Sequence, residues 1–181
     1  MTPDRLGIVI GAAFGLVYVE VNARAIPSPG GALVQALGAI AFVGLLVALH
    51  RTRVTRPGGG MSRPRFGRGY LLVVVAEVAA IPAGSAVLNG PLDLPQAVLP
   101  WVSIVVGAHF LGLAKVWHEA SLGRLGAGIA ALGAVGVGLA AAGAAQVAIA
   151  STAGVGPGVL LLMGSWWAVA RQSQAAGATG V

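Results

Sequence analysis

The sequence predicts an all-α integral membrane protein, a single transmembrane domain over residues 1–181 that forms a bundle of about six helices. Of the 181 residues, 57% are hydrophobic and only 9% are charged, whereas soluble domains carry roughly 25% charged residues. Long apolar runs also recur along the whole chain, as they do in membrane-spanning helices. The distribution of basic residues, described below, gives this bundle an orientation.

Six apolar spans follow one another in the sequence, separated by short polar breaks. Each span is close to the roughly 20 residues that an α-helix needs to cross the hydrocarbon core. The breaks are rich in Gly and Pro, as in IPSPGG after the first span, NGPLDLP after the third and STAGVGPG after the fifth. The predicted spans are 6–24, 31–50, 69–89, 95–117, 123–147 and 153–171.

The basic residues indicate how the spans are oriented. Six spans place both termini, the basic loop 51–68 and the turn after the fourth span on one side of the membrane. Ten of the eleven Lys and Arg residues lie on that side, and only Arg24 lies opposite. The positive-inside rule therefore predicts cytoplasmic termini, in a multi-pass protein of the cell (plasma) membrane.

The loop 51–68 has two interpretations that the sequence leaves open. Clustered arginines next to a bilayer attract anionic head groups, so the loop could contact anionic membrane lipids or a nucleotide. Alternatively, the arginines only determine topology. Because the arginines cluster between apolar spans, membrane topology explains the basic charge better than a nucleic acid does, and we expect no nucleic-acid partner.

Small residues indicate how the helices pack. Gly7, Gly11 and Gly15 are spaced four apart and therefore share one face of the first helix. Small residues at this spacing let helices approach closely in lipid. The same pattern also fits a homodimer. The fifth span consists almost entirely of small residues, so we expect it to lie centrally in the bundle.

Two ionisable residues, Glu77 and His109, lie deep within neighbouring predicted spans. Glu77 lies about 10 Å from the inner end of the third span, and His109 about 12 Å from the inner end of the fourth, at 1.5 Å per residue. Consecutive spans joined by a short loop are usually neighbours. The sequence therefore predicts that this carboxyl group and this imidazole form a pair.

The Glu77–His109 pair has both a functional and a structural interpretation. An ionised side chain at mid-membrane costs on the order of 2.5–3.5 kcal/mol, so Glu77 must be neutral, paired or next to water. Pro82 has no N–H to donate to the carbonyl of Val78, four residues earlier. A neutral Glu77 could donate a hydrogen bond to a backbone group near this weakened turn. Such a Glu77 could simply hold two helices together, or it could act as an acid.

A second group of polar residues lies toward the outer side. Glu20 lies within the first span, and Arg24 follows one turn later, where the two could form an ion pair. Glu20 is the second candidate acid. We expect substrate contacts from Asn22, Arg24, Asn89, Asp93 and Trp101, although Asn89 and Asp93 also suit an ordinary loop.

The residue inventory excludes several kinds of chemistry. The chain has no cysteine and three histidines, His50, His109 and His118. The His118–Glu119 pair lacks the second histidine that zinc proteases require. No serine stands in a nucleophile-elbow motif. We therefore expect no metal site and no cofactor.

The segment WVSIVVGAHFLGLAKVW, residues 101–117, resembles a segment of small uncharacterised bacterial membrane proteins, in which Gly, His-Phe and Leu-Ala recur at this spacing. In length and span count the chain is also similar to the small membrane-bound terpene cyclases of actinobacteria. That second resemblance is one of architecture, and it implies proton donation to a prenylated substrate without assigning any residue a role.

Three functions compete on this evidence. The first is an intramembrane enzyme in which Glu77 or Glu20 donates a proton to a lipophilic substrate and His109 orients or reprotonates the acid, with terpene or prenyl cyclisation as the concrete form. The second is a small proton-coupled transporter, although the chain shows no convincing inverted repeat. The third is a non-catalytic accessory subunit.

Overall fold

A computed structural model describes residues 3–51 and 67–178 of the chain, and no β-strand occurs within these ranges. Residues 52–66, most of the predicted basic loop, lie outside them. The helices are α1 (Pro3–Asn22), α2 (Gly30–Arg51), α3 (Arg68–Asn89), α4 (Val98–Trp117), α5 (Ala120–Ala141), α6 (Gln146–Ala150) and α7 (Gly156–Ala178). Short 3-10 turns follow α1 at Ala23–Ala25 and precede α4 at Pro95–Ala97.

Six helical segments of the described chain are long and apolar enough to cross a membrane, which makes this an all-α multi-pass membrane protein. The first four segments match the predicted spans to within one residue at each end. They are Arg5–Ala25, Gly30–Arg51, Arg68–Asn89 and Pro95–Trp117.

The end of the fifth span and the start of the sixth differ from the prediction. Helix α5 ends at Ala141 rather than at residue 147, and the last span begins at Gln146 rather than at 153. Gln146 therefore begins the sixth span, although the sequence placed it at the end of the fifth. The chain turns at residues 142–145, where Gly143 adopts a left-handed conformation with φ 69°.

The predicted break at STAGVGPG is a π-helical turn inside the last span. This turn covers Ser151–Val155 and leads directly into α7. Pro157 has no N–H and cannot donate to the carbonyl of Ala153, four residues earlier. The buried hydroxyl of Ser103 on α4 donates to that carbonyl instead. In a membrane, where water cannot replace a missing donor, this bond lets the helix continue through the irregular turn.

The helices form two compact units. The first unit contains α1, α2 and the part of α7 from Gly158 onward. Its core contains Ala12, Val19, Leu45, Leu49, Leu162 and Val169.

The glycine face predicted on α1 packs most tightly at Gly15. A Cβ added there would lie 2.9 Å from the carbonyl oxygen of Gly158. A Cβ at Gly11 would lie 3.4 Å from Oγ of Ser165, an ordinary contact, and one at Gly7 would have no neighbour within 4 Å. The close approach is therefore local to one turn of the predicted stripe.

The second unit extends from residue 62 to Pro157 and contains α3, α4, α5, α6 and the π-helical turn. Within it, α4 and α5 lie almost backbone to backbone. A Cβ added at Gly126 of α5 would lie 2.6 Å from the carbonyl oxygen of Gly107 on α4, and one at Gly133 would lie 2.8 Å from the amide nitrogen of Ile104. Close packing of small residues thus fixes α4, which carries His109.

Candidate functional site

Glu77 and His109 meet in the second unit, as their predicted depths indicated. Nδ1 of His109 lies 2.9 Å from Oε2 of Glu77. The Glu77 side chain is 23% exposed and that of His109 is 15% exposed, so the pair is largely shielded but not sealed. The ring of Phe110 meets the imidazole edge to face, with centroids 5.7 Å apart.

The two groups are close without being well aligned for a hydrogen bond. Across the described parts of the chain, the buried Nδ1 atom has no hydrogen-bond partner of acceptable geometry, even though the carboxylate oxygen is at hydrogen-bonding distance. Catalytic hydrogen bonds are often poorly aligned before substrate binds and tighten afterwards.

The antiparallel helices α3 and α4 contact each other at successive levels that include this pair. In order toward their connecting loop, the contacts are Gly69 with Val116, Val73 with Gly112, Glu77 with His109, and Gly84 with Trp101. Three of these four levels set a glycine against a larger side chain. The level of Glu77 and His109 therefore lies between levels at which a glycine lets α3 and α4 approach closely. These contacts fix the distance between the two helices at the pair.

Trp101 makes the contact nearest the connecting loop. Its indole nitrogen donates to the carbonyl oxygen of Ala80 at 3.0 Å. The ring lies directly against Gly84, where any added side chain would overlap it. Trp101 was expected to contact substrate. In the structure, the only polar atom of its side chain, Nε1, is hydrogen-bonded to the backbone of α3.

The predicted ion pair between Glu20 and Arg24 does not form, and no ion pair joins them in the described part of the chain. Helix α1 ends at Asn22, and Ala23–Ala25 form a 3-10 turn. The tighter turn carries Arg24 away from the helical position above Glu20, and Arg24 is exposed. The backbone carbonyl of Glu20 accepts a hydrogen bond from Gln35 at 2.8 Å.

The other expected substrate contacts lie at helix ends. Asn22 donates to the carbonyl of Tyr18, and Asn89 donates to the carbonyl of Ser85, each at 2.8 Å. Asp93 is exposed in the loop after α3, in a left-handed conformation with φ 46°. Asn89, Asp93 and Trp101 belong to the second unit, with Glu77 and His109, whereas Glu20, Asn22 and Arg24 belong to the first.

Gly84 is the site residue that the sequence analysis missed. Gly84 lies seven residues after Glu77, and Trp101 lies eight residues before His109. Seven residues are almost two helical turns, so an antiparallel pair fixed at Glu77 and His109 brings Gly84 to the level of Trp101. These similar spacings, seven and eight residues, are the sequence signal that could have identified Gly84.

No group of three or more His, Cys, Asp or Glu residues in the described ranges is arranged to hold a metal ion. Comparison with protein-family models, curated proteins and solved structures finds no match to this chain. Function is therefore inferred from the residues and their geometry.

Proposed function

We propose that this membrane protein is an intramembrane acid catalyst in which Glu77 donates a proton to a lipophilic substrate. The contact between Glu77 and His109 at 2.9 Å carries the proposal. Ionisable residues inside membrane spans are costly and usually serve a function. Two of them in contact at one level form a unit that can hold and return a proton.

The surroundings of the pair favour a substrate that arrives from the bilayer. No residue of α3 is buried, and the residues that flank Glu77 in sequence, Ala76 and Val78, are exposed. Because α3 is a membrane span, the exposed part of Glu77 is reachable from within the hydrocarbon region. An apolar substrate could meet the acid there without passing through water.

The chemistry that suits this arrangement is cyclisation of a prenyl or terpenoid chain. A protonated Glu77 carboxyl group can donate its proton to an alkene or an epoxide. The resulting carbocation is attacked by a second double bond, and loss of a proton from a neighbouring carbon completes an isomerisation. His109 would orient the carboxyl group and return a proton to it. The resemblance in architecture to small membrane-bound terpene cyclases supports the same substrate class.

The test uses membranes that contain the full chain, incubated in D2O with polyprenyl alkenes and their terminal epoxides. From an alkene we expect a cyclised product that carries one carbon-bound deuterium in place of hydrogen. From an epoxide the proton goes to oxygen and the resulting hydroxyl exchanges with solvent, so formation of the cyclised alcohol is itself the readout. Glu77→Gln should lower the rate of formation of either product at least about 100-fold, since general acid catalysis contributes roughly 10²–10⁴-fold.

Glu119→Gln is the matched control. Glu119 accepts a hydrogen bond from Ser121 at the start of α5, away from the pair, and an amide oxygen can accept it as well. This variant should retain wild-type activity. Equal product from wild type and Glu77→Gln would remove Glu77 from the mechanism and leave Glu20 as the next acid to test.

A further inference from the structure

The contact of Trp101 with α3 has a counterpart in the first unit. Trp166 on α7 donates its indole N–H to the carbonyl of Ala41 on α2 at 3.0 Å, and its ring lies against Gly44, where an added Cβ would be 3.2 Å from the ring. Both tryptophans thus bond a carbonyl one turn before a glycine and cover that glycine. A bond to the backbone holds one helix at a fixed height along another.

We infer that Trp101 is a positioning residue that sets the distance between Glu77 and His109. Its indole bonds to Ala80 and covers Gly84, so it fixes α3 against α4 at the level next to the acid. The hydrogen bond goes to the residue three positions after Glu77, within one helical turn. If the turn from Glu77 to Ala80 moved, the carboxyl group of Glu77 would slide along α4 or move away from it.

This inference rests on the proposed role of the Glu77–His109 pair, but it is tested first by a measurement that does not involve activity. The chain contains no cysteine, so introduced pairs report proximity without background. The reporter pair is Glu77→Cys with His109→Cys, and its rate of disulfide formation is measured in the full chain in membranes. The reference pair, Gly69→Cys with Val116→Cys, lies at the far end of the same two helices.

Trp101→Phe removes the indole N–H and keeps an aromatic ring. We expect it to slow cross-linking of the reporter pair about threefold to tenfold, the range expected for loss of one hydrogen bond. The reference pair should cross-link at its usual rate. Trp166→Phe, which loses the equivalent bond in the first unit, should change neither rate. Gly84→Ala should act like Trp101→Phe, because its methyl group displaces the indole.

Two outcomes would overturn the inference. An unchanged reporter rate in Trp101→Phe would show that the indole does not set this distance. An equal loss at both pairs would show a general loosening of α3, not a local effect at the acid.

A second measurement separates positioning from substrate binding. With the prenyl substrate that the D2O assay identifies, Trp101→Phe should lower kcat and leave KM unchanged, because the acid is misplaced in the transition state. A raised KM with unchanged kcat would instead place Trp101 in the substrate site. Loss of activity in Glu77→Gln tests the proposed function, and the cross-linking rates test the inference, so the two can fail separately.

Discussion

At the scale of single residues, the pair of Glu77 and His109 shows what depth alone can predict. Their distances from the inner ends of two consecutive spans placed them at one level, and the structure brings them to 2.9 Å. The ion pair that Glu20 and Arg24 could form on a continuous α-helix is absent from the described structure. Helix α1 ends at Asn22, so Arg24 lies in a 3-10 turn and not one α-helical turn above Glu20. The hydrogen bond from Trp101 to the carbonyl of Ala80 was not predicted, because residue spacing indicates which levels of two helices meet but not which backbone carbonyl a side chain bonds.

If Glu77 and His109 act as a unit, their substitutions should not be additive. We expect Glu77→Gln and His109→Ala each to lower the rate roughly 10²–10⁴-fold. The double variant should be little worse than either single variant. Rates measured for the four proteins give the coupling directly, with thermal stability in detergent as the control for folding.

A purely structural pair would give the opposite pattern. Glutamine preserves the size and hydrogen-bonding capacity of Glu77, so Glu77→Gln would keep its activity. His109→Ala would then lower the melting temperature, and any loss of activity would follow the loss of stability.

At the scale of helices, hydropathy located four spans to within a residue, because polar loops bound them sharply. The fifth and sixth spans were misplaced for a physical reason. Residues 141–156 are mostly Ala and Gly, so neither hydropathy nor breaker residues separate helix from turn there. STAGVGPG has the composition of a loop, yet it remains helical because Ser103 supplies the donor that Pro157 lacks.

Ser103→Ala should therefore destabilise the protein. It leaves the buried carbonyl of Ala153 without the hydroxyl donor, which costs about 1–3 kcal/mol. Thermal or denaturant unfolding in detergent would measure the effect. Ser85→Ala is the control, because Ser85 only adds a bond to the carbonyl of Ile81 within its own helix. Equal stability of the two variants would show that the π-helical turn does not depend on Ser103.

The glycines on one face of α1 allow a prediction in which Gly7 is the control for Gly15. Gly15→Ala should cost about 1–3 kcal/mol, because the new methyl group meets the backbone of Gly158 on α7. Gly7→Ala meets no atom within 4 Å and should stabilise the helix by up to about 1 kcal/mol. Unfolding in detergent distinguishes them. If both substitutions had the same effect, α1 and α7 would not be in close contact at Gly15.

At the scale of the whole molecule, we propose that the basic side faces the cytoplasm. An impermeant thiol reagent added outside intact cells should label Ser28→Cys, in the loop between α1 and α2, and should not label Gly59→Cys. Gly59 lies outside the described residues, in the predicted loop 51–68, which carries most of the arginines. After the membrane is opened, both cysteines should react. Labelling of Gly59→Cys from outside would reverse the proposed orientation.

The central claim is that the Glu77–His109 pair uses its proton for chemistry inside the bilayer and does not carry it across. The most direct test reconstitutes the full chain in liposomes with a pH-sensitive dye inside, and follows product formation and internal pH together. Wild type should convert a prenyl substrate with no proton flux, and Glu77→Gln should lose the conversion. A proton flux that Glu77→Gln abolishes, with no product formed, would contradict the claim and identify a carrier.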